Sequence, residues 1–116
     1  MADLIQNYDF DNATQGNTYQ GVTFNLPREE VFSLSGARIY MQLRKKPGQT
    51  LAAEFSTENQ KITILDQYSF SFTDQIIDVV PDTYEYDILI VFSDHRRETY
   101  IGGRWTIQPC VTHKKI

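Results

Sequence analysis

Cysteine is almost missing from this 116-residue chain: Cys110 stands alone, so no intrachain disulfide can form and packing must hold the fold. Such a chain is compatible with a reducing compartment. Histidine is as scarce. His95 sits beside Arg96 and Arg97, and His113 lies in a basic tail with Lys114 and Lys115. One cysteine and two histidines from opposite regions cannot complete a zinc site without a carboxylate, so these histidines read as turn and tail residues. A nucleophilic Cys110 would need a base and an electropositive site. His113, three residues on, does not share its face in a strand or tail, so the thiol reads as a strand end.

Long apolar runs are also missing. Nothing approaches the ~18 residues of a spanning helix, and Met1 to Asn7 has no basic start followed by an apolar stretch, so neither membrane insertion nor an export signal is expected. The net charge of −4 comes from scattered carboxylates, which disfavours a nucleic-acid or anionic-membrane partner. There is no internal repeat and no phosphate-cradling glycine loop. Gly102-Gly103 falls within a strand pattern, where it signals a bulge or a close approach by Trp105 or by a partner's backbone. Asp9, Asp11 and Asn12 lack the glycine and distant glutamate of a calcium loop, so turn bonding to backbone is the better use of them. No pair of carboxylates is singled out for glycoside hydrolysis. No cofactor and no metal is expected, and the chain reads as a protein other than an enzyme.

What the chain has is apolar and aromatic content in alternating register. With 41% hydrophobic and 22% charged residues it should fold, and its length suits one domain spanning 1–116. Seven Phe, seven Tyr and one Trp favour half-buried pleated surfaces. Ala37, Ile39, Met41 and Leu43 alternate with Arg38, Tyr40, Gln42 and Arg44, which predicts a strand over 37–45 with one wet face, reversed at Pro47-Gly48. Short strands are expected around Leu51, Ala53 and Phe55, over 61–65 and over 69–73. Residues 74–80 fit neither period, so an irregular or 3₁₀ turn competes with a strand there. The segments 83–92 and 98–108 form a hairpin, and the run Ile88 to Phe92 predicts a central strand covered on both faces. Near the start, Tyr19, Val22, Phe24 and Leu26 form a strand in which Gly21 suggests a bulge.

Seven to eight short strands without an amphipathic helix predict an all-β antiparallel sandwich, with a small closed barrel as the alternative. Val80-Pro81-Asp82-Thr83-Tyr84 resembles the tyrosine corner of immunoglobulin-like and fibronectin-type sandwiches, with Tyr84 tying the strand's start to nearby backbone. Antibody domains place a cysteine two residues later, where this chain has Tyr86, and Trp105 lies on the last strand instead of the third. The expectation is therefore an immunoglobulin-like architecture outside the antibody type.

A wider resemblance is carried by Asp9-Phe10, by Gln15 to Tyr19, by Leu34 to Ala37, by Met41 to Gly48 and by Pro81 to Asp87. These stretches resemble small phage and prophage structural proteins, and most closely the immunoglobulin-like N-terminal domain of baseplate upper proteins. Those proteins carry further domains, whereas this chain stops at Ile116. The resemblance implies a free-standing virion or assembly component, made in the host cytoplasm and placed in the tail. Its partners would be other phage structural proteins or further copies of itself.

On the immunoglobulin plan, 37–45 pairs with 83–92, which pairs with 98–108. Tyr84, Tyr86, Ile88, Ile90 and Phe92 then share a core face with Ile39, Met41, Trp105 and Ile107. The other face carries Tyr40, Leu89, Val91 and Tyr100, with Arg38, Arg104 and Gln42 around them. Aromatic and aliphatic side chains ringed by arginine are typical of interface centres, so this face is the expected protein-binding surface. Two other readings are a carbohydrate-binding module stacking sugars on Tyr8, Tyr19, Tyr40 or Tyr100, and an inhibitor or chaperone working through an edge strand.

Overall fold

The structure is a computed structural model that describes residues 6–28, 32–46 and 50–110. The Pro47-Gly48 turn and His113 lie outside the described residues. The strands are β1 (Gln6–Asn7), β2 (Ala13–Thr14), β3 (Thr18–Tyr19), β4 (Val22–Asn25), β5 (Arg38–Arg44), β6 (Ala53–Ser56), β7 (Ile62–Asp66), β8 (Ser69–Phe72), β9 (Gln75–Ile76), β10 (Asp82–Val91) and β11 (Arg97–Gln108). No helix occurs among the described residues.

Side-chain alternation sets the faces. Ile39, Met41 and Leu43 of β5 are buried while Arg38 is exposed and Tyr40, Gln42 and Arg44 are half-exposed. In one sheet β11, β10, β5 and β6 lie side by side and antiparallel, so the three segments expected to be neighbours are neighbours. β1 and β2 add in parallel to the other edge of β11. A second sheet runs β4-β8-β7, and β3 pairs with β9. Taking β1 with β2, β3 with β4 and β8 with β9 as interrupted single strands turns the 11 into eight. Phe72 of β8 packs on Phe55 of β6 and Trp105 of β11, with ring centroids 5.0 and 5.7 Å apart. The sheets thus share one core and the chain is an all-β sandwich.

Two interruptions are built by aspartates. At Gly21 an added Cβ would lie 2.2 Å from the Phe72 carbonyl oxygen. The ladder parts there, and the Asp74 carboxylate accepts the Gly21 N–H at 2.5 Å in place of a backbone carbonyl. The second lies between β1 and β2. Tyr8 and Phe10 donate their N–H groups to the carbonyls of Gly102 and Arg104 at 2.9 and 3.1 Å. The N–H of Arg104 then goes to the Asp9 carboxylate at 2.9 Å.

This departure drives Phe10 into the core, stacked on Trp105 at 4.7 Å and packed edge-on or tilted against Tyr8, Tyr19, Phe24, Phe72 and Tyr86. Hydroxyl and indole donors hold the segment down. Tyr86 donates to the Tyr8 carbonyl, while Tyr19 and the Trp105 indole both donate to the Asp11 carbonyl at 2.9 Å. Burial, and then the nearby Asp11 carboxylate, push the Tyr19 hydroxyl up to about 12. Burial and then Asp9 raise that of Tyr86 further, so both remain neutral donors at physiological pH. Asp9 therefore bonds backbone as expected, but across the fold instead of within its own turn.

Tyr84 closes the corner at its own strand's start by donating to the Val80 carbonyl. Within residues 74–80 only β9 (Gln75–Ile76) is strand, yet burial alternates throughout: Ile77 and Val79 are buried while Ile76, Asp78 and Val80 are exposed, a period of two. Each apolar pair there puts one member on each side, which hid the alternation. Leu51 precedes β6 and is exposed.

Candidate functional site

The pairing register arranges the outer face of the large sheet in rows that cross the strands. One row is Thr99, Leu89, Tyr40 and Ser56; beside it lies Arg97, Val91 and Arg38. On the other flank come Gly102, Asp87, Gln42 and Glu54, then Arg104, Glu85 and Arg44. Leu89 and Val91 are half-buried on this face, while Ile88, Ile90 and Phe92 on the other face of β10 are fully in the core. The expectation that β10 is covered on both faces therefore fails. Its aliphatic run reflects a core on one side and a partly wet surface on the other.

Local bonds order this surface. The Tyr40 hydroxyl donates to Glu58 at 2.5 Å, which raises its pKa, and the same carboxylate lies 4.0 Å from the Arg38 guanidinium. Gln42 donates to Glu54 at 3.3 Å and accepts from Arg44 at 2.9 Å. At the far end the Thr83 and Thr106 hydroxyls meet at 3.0 Å, and Lys45 pairs with Asp82 at 2.8 Å. The end of the sheet near Thr83 is thus tied up in polar pairs, and the end near Leu89 presents apolar side chains between arginines.

Of the residues expected here, Arg38, Tyr40, Leu89 and Val91 come together. Tyr100 does not: it is 6% exposed and belongs to the core. The register shifts between Ile88 and Leu89, which face Ile101 and Thr99, so Tyr100 is the extra residue of a β-bulge. Tyr100 and Ile101 are both buried, and alternation counted through the bulge puts Tyr100 on the wrong face. Arg104 shares the face but pairs with Glu85, four residues along β10 from Leu89 and about 13 Å away at ~3.3 Å per residue. Arg97 and Thr99 occupy the places next to Val91 and Leu89 instead. The adjacent apolar pair Tyr100-Ile101 was the available sequence signal for the bulge.

The rings considered for sugar stacking are mostly engaged. Tyr8 and Tyr19 pack into the aromatic cluster around Phe10, and Tyr100 is buried. A hollow of about 430 Å³ at the end of the smaller sheet is lined by Asn25, Leu26, Arg28, Asp66, Gln67, Tyr68 and Ser69. Two of its polar groups are engaged within the wall itself: Arg28 lies 5.0 Å over the Tyr68 ring and Asp66 accepts the Tyr68 N–H at 2.9 Å. Among the described residues no group of three His, Cys, Asp or Glu side chains is placed to hold a metal ion.

The edge at β6 is closed by one side chain. The Asn59 carboxamide accepts from the Ser56 N–H at 2.9 Å and donates to the Glu54 carbonyl at 3.0 Å, as a neighbouring strand would. We expect Asn59→Ala to cost about 1–2 kcal/mol and to promote association through this edge. Denaturant titration and light scattering at rising concentration check both; an unchanged midpoint and mass would contradict it.

A scan against protein-family models and a search of curated proteins find no match to this chain.

Proposed function

We propose that this domain is an immunoglobulin-like, non-enzymatic structural or assembly module of a phage or prophage tail, and that it acts by docking another protein on the outer face of its large sheet. The observation that carries the docking is the row of Leu89 and Tyr40 beside Val91, flanked by Arg38 and Arg97 on a face with no covering layer among the described residues. Aromatic and aliphatic side chains between arginines supply contact area and directed charge, the usual make-up of an interface centre. The immunoglobulin-like reading is supported by the neighbours β5, β10 and β11 and by the Tyr84 corner. The tail assignment is supported by the sequence resemblance to the N-terminal domain of baseplate upper proteins.

Changing Leu89 and Val91 together to lysine tests the docking. Both side chains are outside the core, so the variant should keep its fold by circular dichroism and by Trp105 emission. Binding to purified tail components should fall at least about tenfold, as expected on losing an interface centre. Undiminished binding by the folded variant would sink the proposal.

A further inference from the structure

The rows of the outer face carry an alternation of charge that identifies an occupant. On one side of the Leu89 row stand two cations, Arg38 and Arg97, with Val91 between them. On the other side stand two anions, Asp87 and Glu54. Among the described residues Asp87 and Arg97 enter no ion pair, and Arg38 reaches Glu58 only at 4.0 Å. An apolar centre with opposite charges at equal spacing on its two sides is complementary to itself.

We infer that this face receives a second copy of the chain, packed face to face about a two-fold axis that lies between the sheets and crosses the strands along the Leu89 row. This rests on the reading of the face as a docking surface and names its partner. Such an axis reverses the direction along the strands and keeps their lateral order. β10 lies over β10 and β5 over β5, with Leu89 meeting Leu89 and Tyr40 meeting Tyr40. The row after the centre in one copy falls on the row before it in the other. Asp87 therefore lies opposite Val91 of the other copy, between its Arg38 and Arg97, and this happens twice per dimer. The outer side of that Arg38 is held by its own Glu58, so the charge pairing across the contact is carried by Asp87 and the two arginines. An axis parallel to the strands would instead set arginines over arginines and is disfavoured. Aligned packing of two sheets is an ordinary arrangement for surfaces of this twist. Under this axis the rows of Val91, Leu89 and Asp87 overlie one another. Three rows ~6.7 Å apart and four strands ~4.8 Å apart define a contact on the order of 20 × 20 Å, below the size of a standard stable interface, so the dimer is weak and forms reversibly with concentration.

The test is sedimentation of the full chain over a range of concentrations, with Arg38→Glu/Arg97→Glu and Glu54→Arg/Asp87→Arg as variants. The wild type should move from one chain's mass to two, and added salt should weaken it. Each variant alone should stay monomeric at concentrations where the wild type pairs. An equal mixture of the two should recover a dimer, seen by native mass spectrometry as one copy of each. A monomeric wild type at all concentrations, a dimer indifferent to both variants, a tighter dimer in either variant, or a mixture that does not recover pairing would each overturn the inference. The Leu89 and Val91 lysine variant separates the two levels. If the wild type does not self-associate but this variant still loses binding to tail components, docking stands with a different partner. If neither self-association nor binding to tail components responds to the lysines, both readings fall.

Discussion

Phe10→Ala should destabilise the fold by about 3–5 kcal/mol and shift the emission of Trp105 to longer wavelength. Phe10 is 4% exposed although it lies in a turn-rich stretch, and it reaches rings from both sheets and from β3. Removing the ring costs its transfer from water and leaves a cavity that stiff aromatic neighbours fill poorly. It also frees the segment that supplies the Asp11 carbonyl to the Trp105 indole and to Tyr19. Buried donors without an acceptor add a further penalty, and water reaching the indole gives the red shift. Denaturant titration monitored by the single tryptophan measures both effects. Phe32→Ala is the matched control: that ring is 47% exposed, and its loss should cost under about 1 kcal/mol. Equal costs for the two would contradict the role assigned to Phe10.

Gly103→Ala should cost about 2–4 kcal/mol by a different route. An alanine Cβ would stand 2.1 Å from the Tyr8 carbonyl oxygen and 2.7 Å from its carbon, against backbone that is itself tethered. Among the described residues the positive-φ glycines are Gly16 and Gly36, so an alanine at 103 meets no conformational barrier and the whole cost is steric. The segment from Tyr8 to Asp11 must lift, and with it go the Tyr86 bond to Tyr8 and the Asp9 bond to Arg104. Since Phe10→Ala releases the same segment, the double variant should cost clearly less than the sum of the singles, whereas additive losses would show that the two residues act separately. The close approach anticipated at Gly102-Gly103 thus exists, and the approaching backbone is the chain's own.

Much of the scaffold is legible because it rests on local rules. Alternation in 37–45, 83–92 and 98–108 marks each strand and its buried face, since side chains point to opposite sides at every step. Pro81 followed by Tyr84 at the head of such a strand marked the corner that the Val80 carbonyl completes. The buried set expected from β5, β10 and β11 is buried, from Ile39 and Met41 to Trp105 and Ile107. Where a rule of two was broken, the reading slipped: one inserted residue at Tyr100 moved that ring from surface to core.

Of the face where the candidate site lies, the sequence by itself determined the residue types and most of their sides: Tyr40, Leu89, Val91 and Arg38 on the wet side of paired strands. Only the tertiary structure decided which of them adjoin. Register between strands depends on turns and bulges elsewhere, and it set Arg97 beside Val91 while leaving Arg104 two rows from Leu89. Nor could the sequence show that Phe10 would dock on a strand some 95 positions away or that Asn59 would close an edge. Those contacts join groups far apart in the chain or finish an edge that exists only once the sheet has formed, and no local preference encodes either.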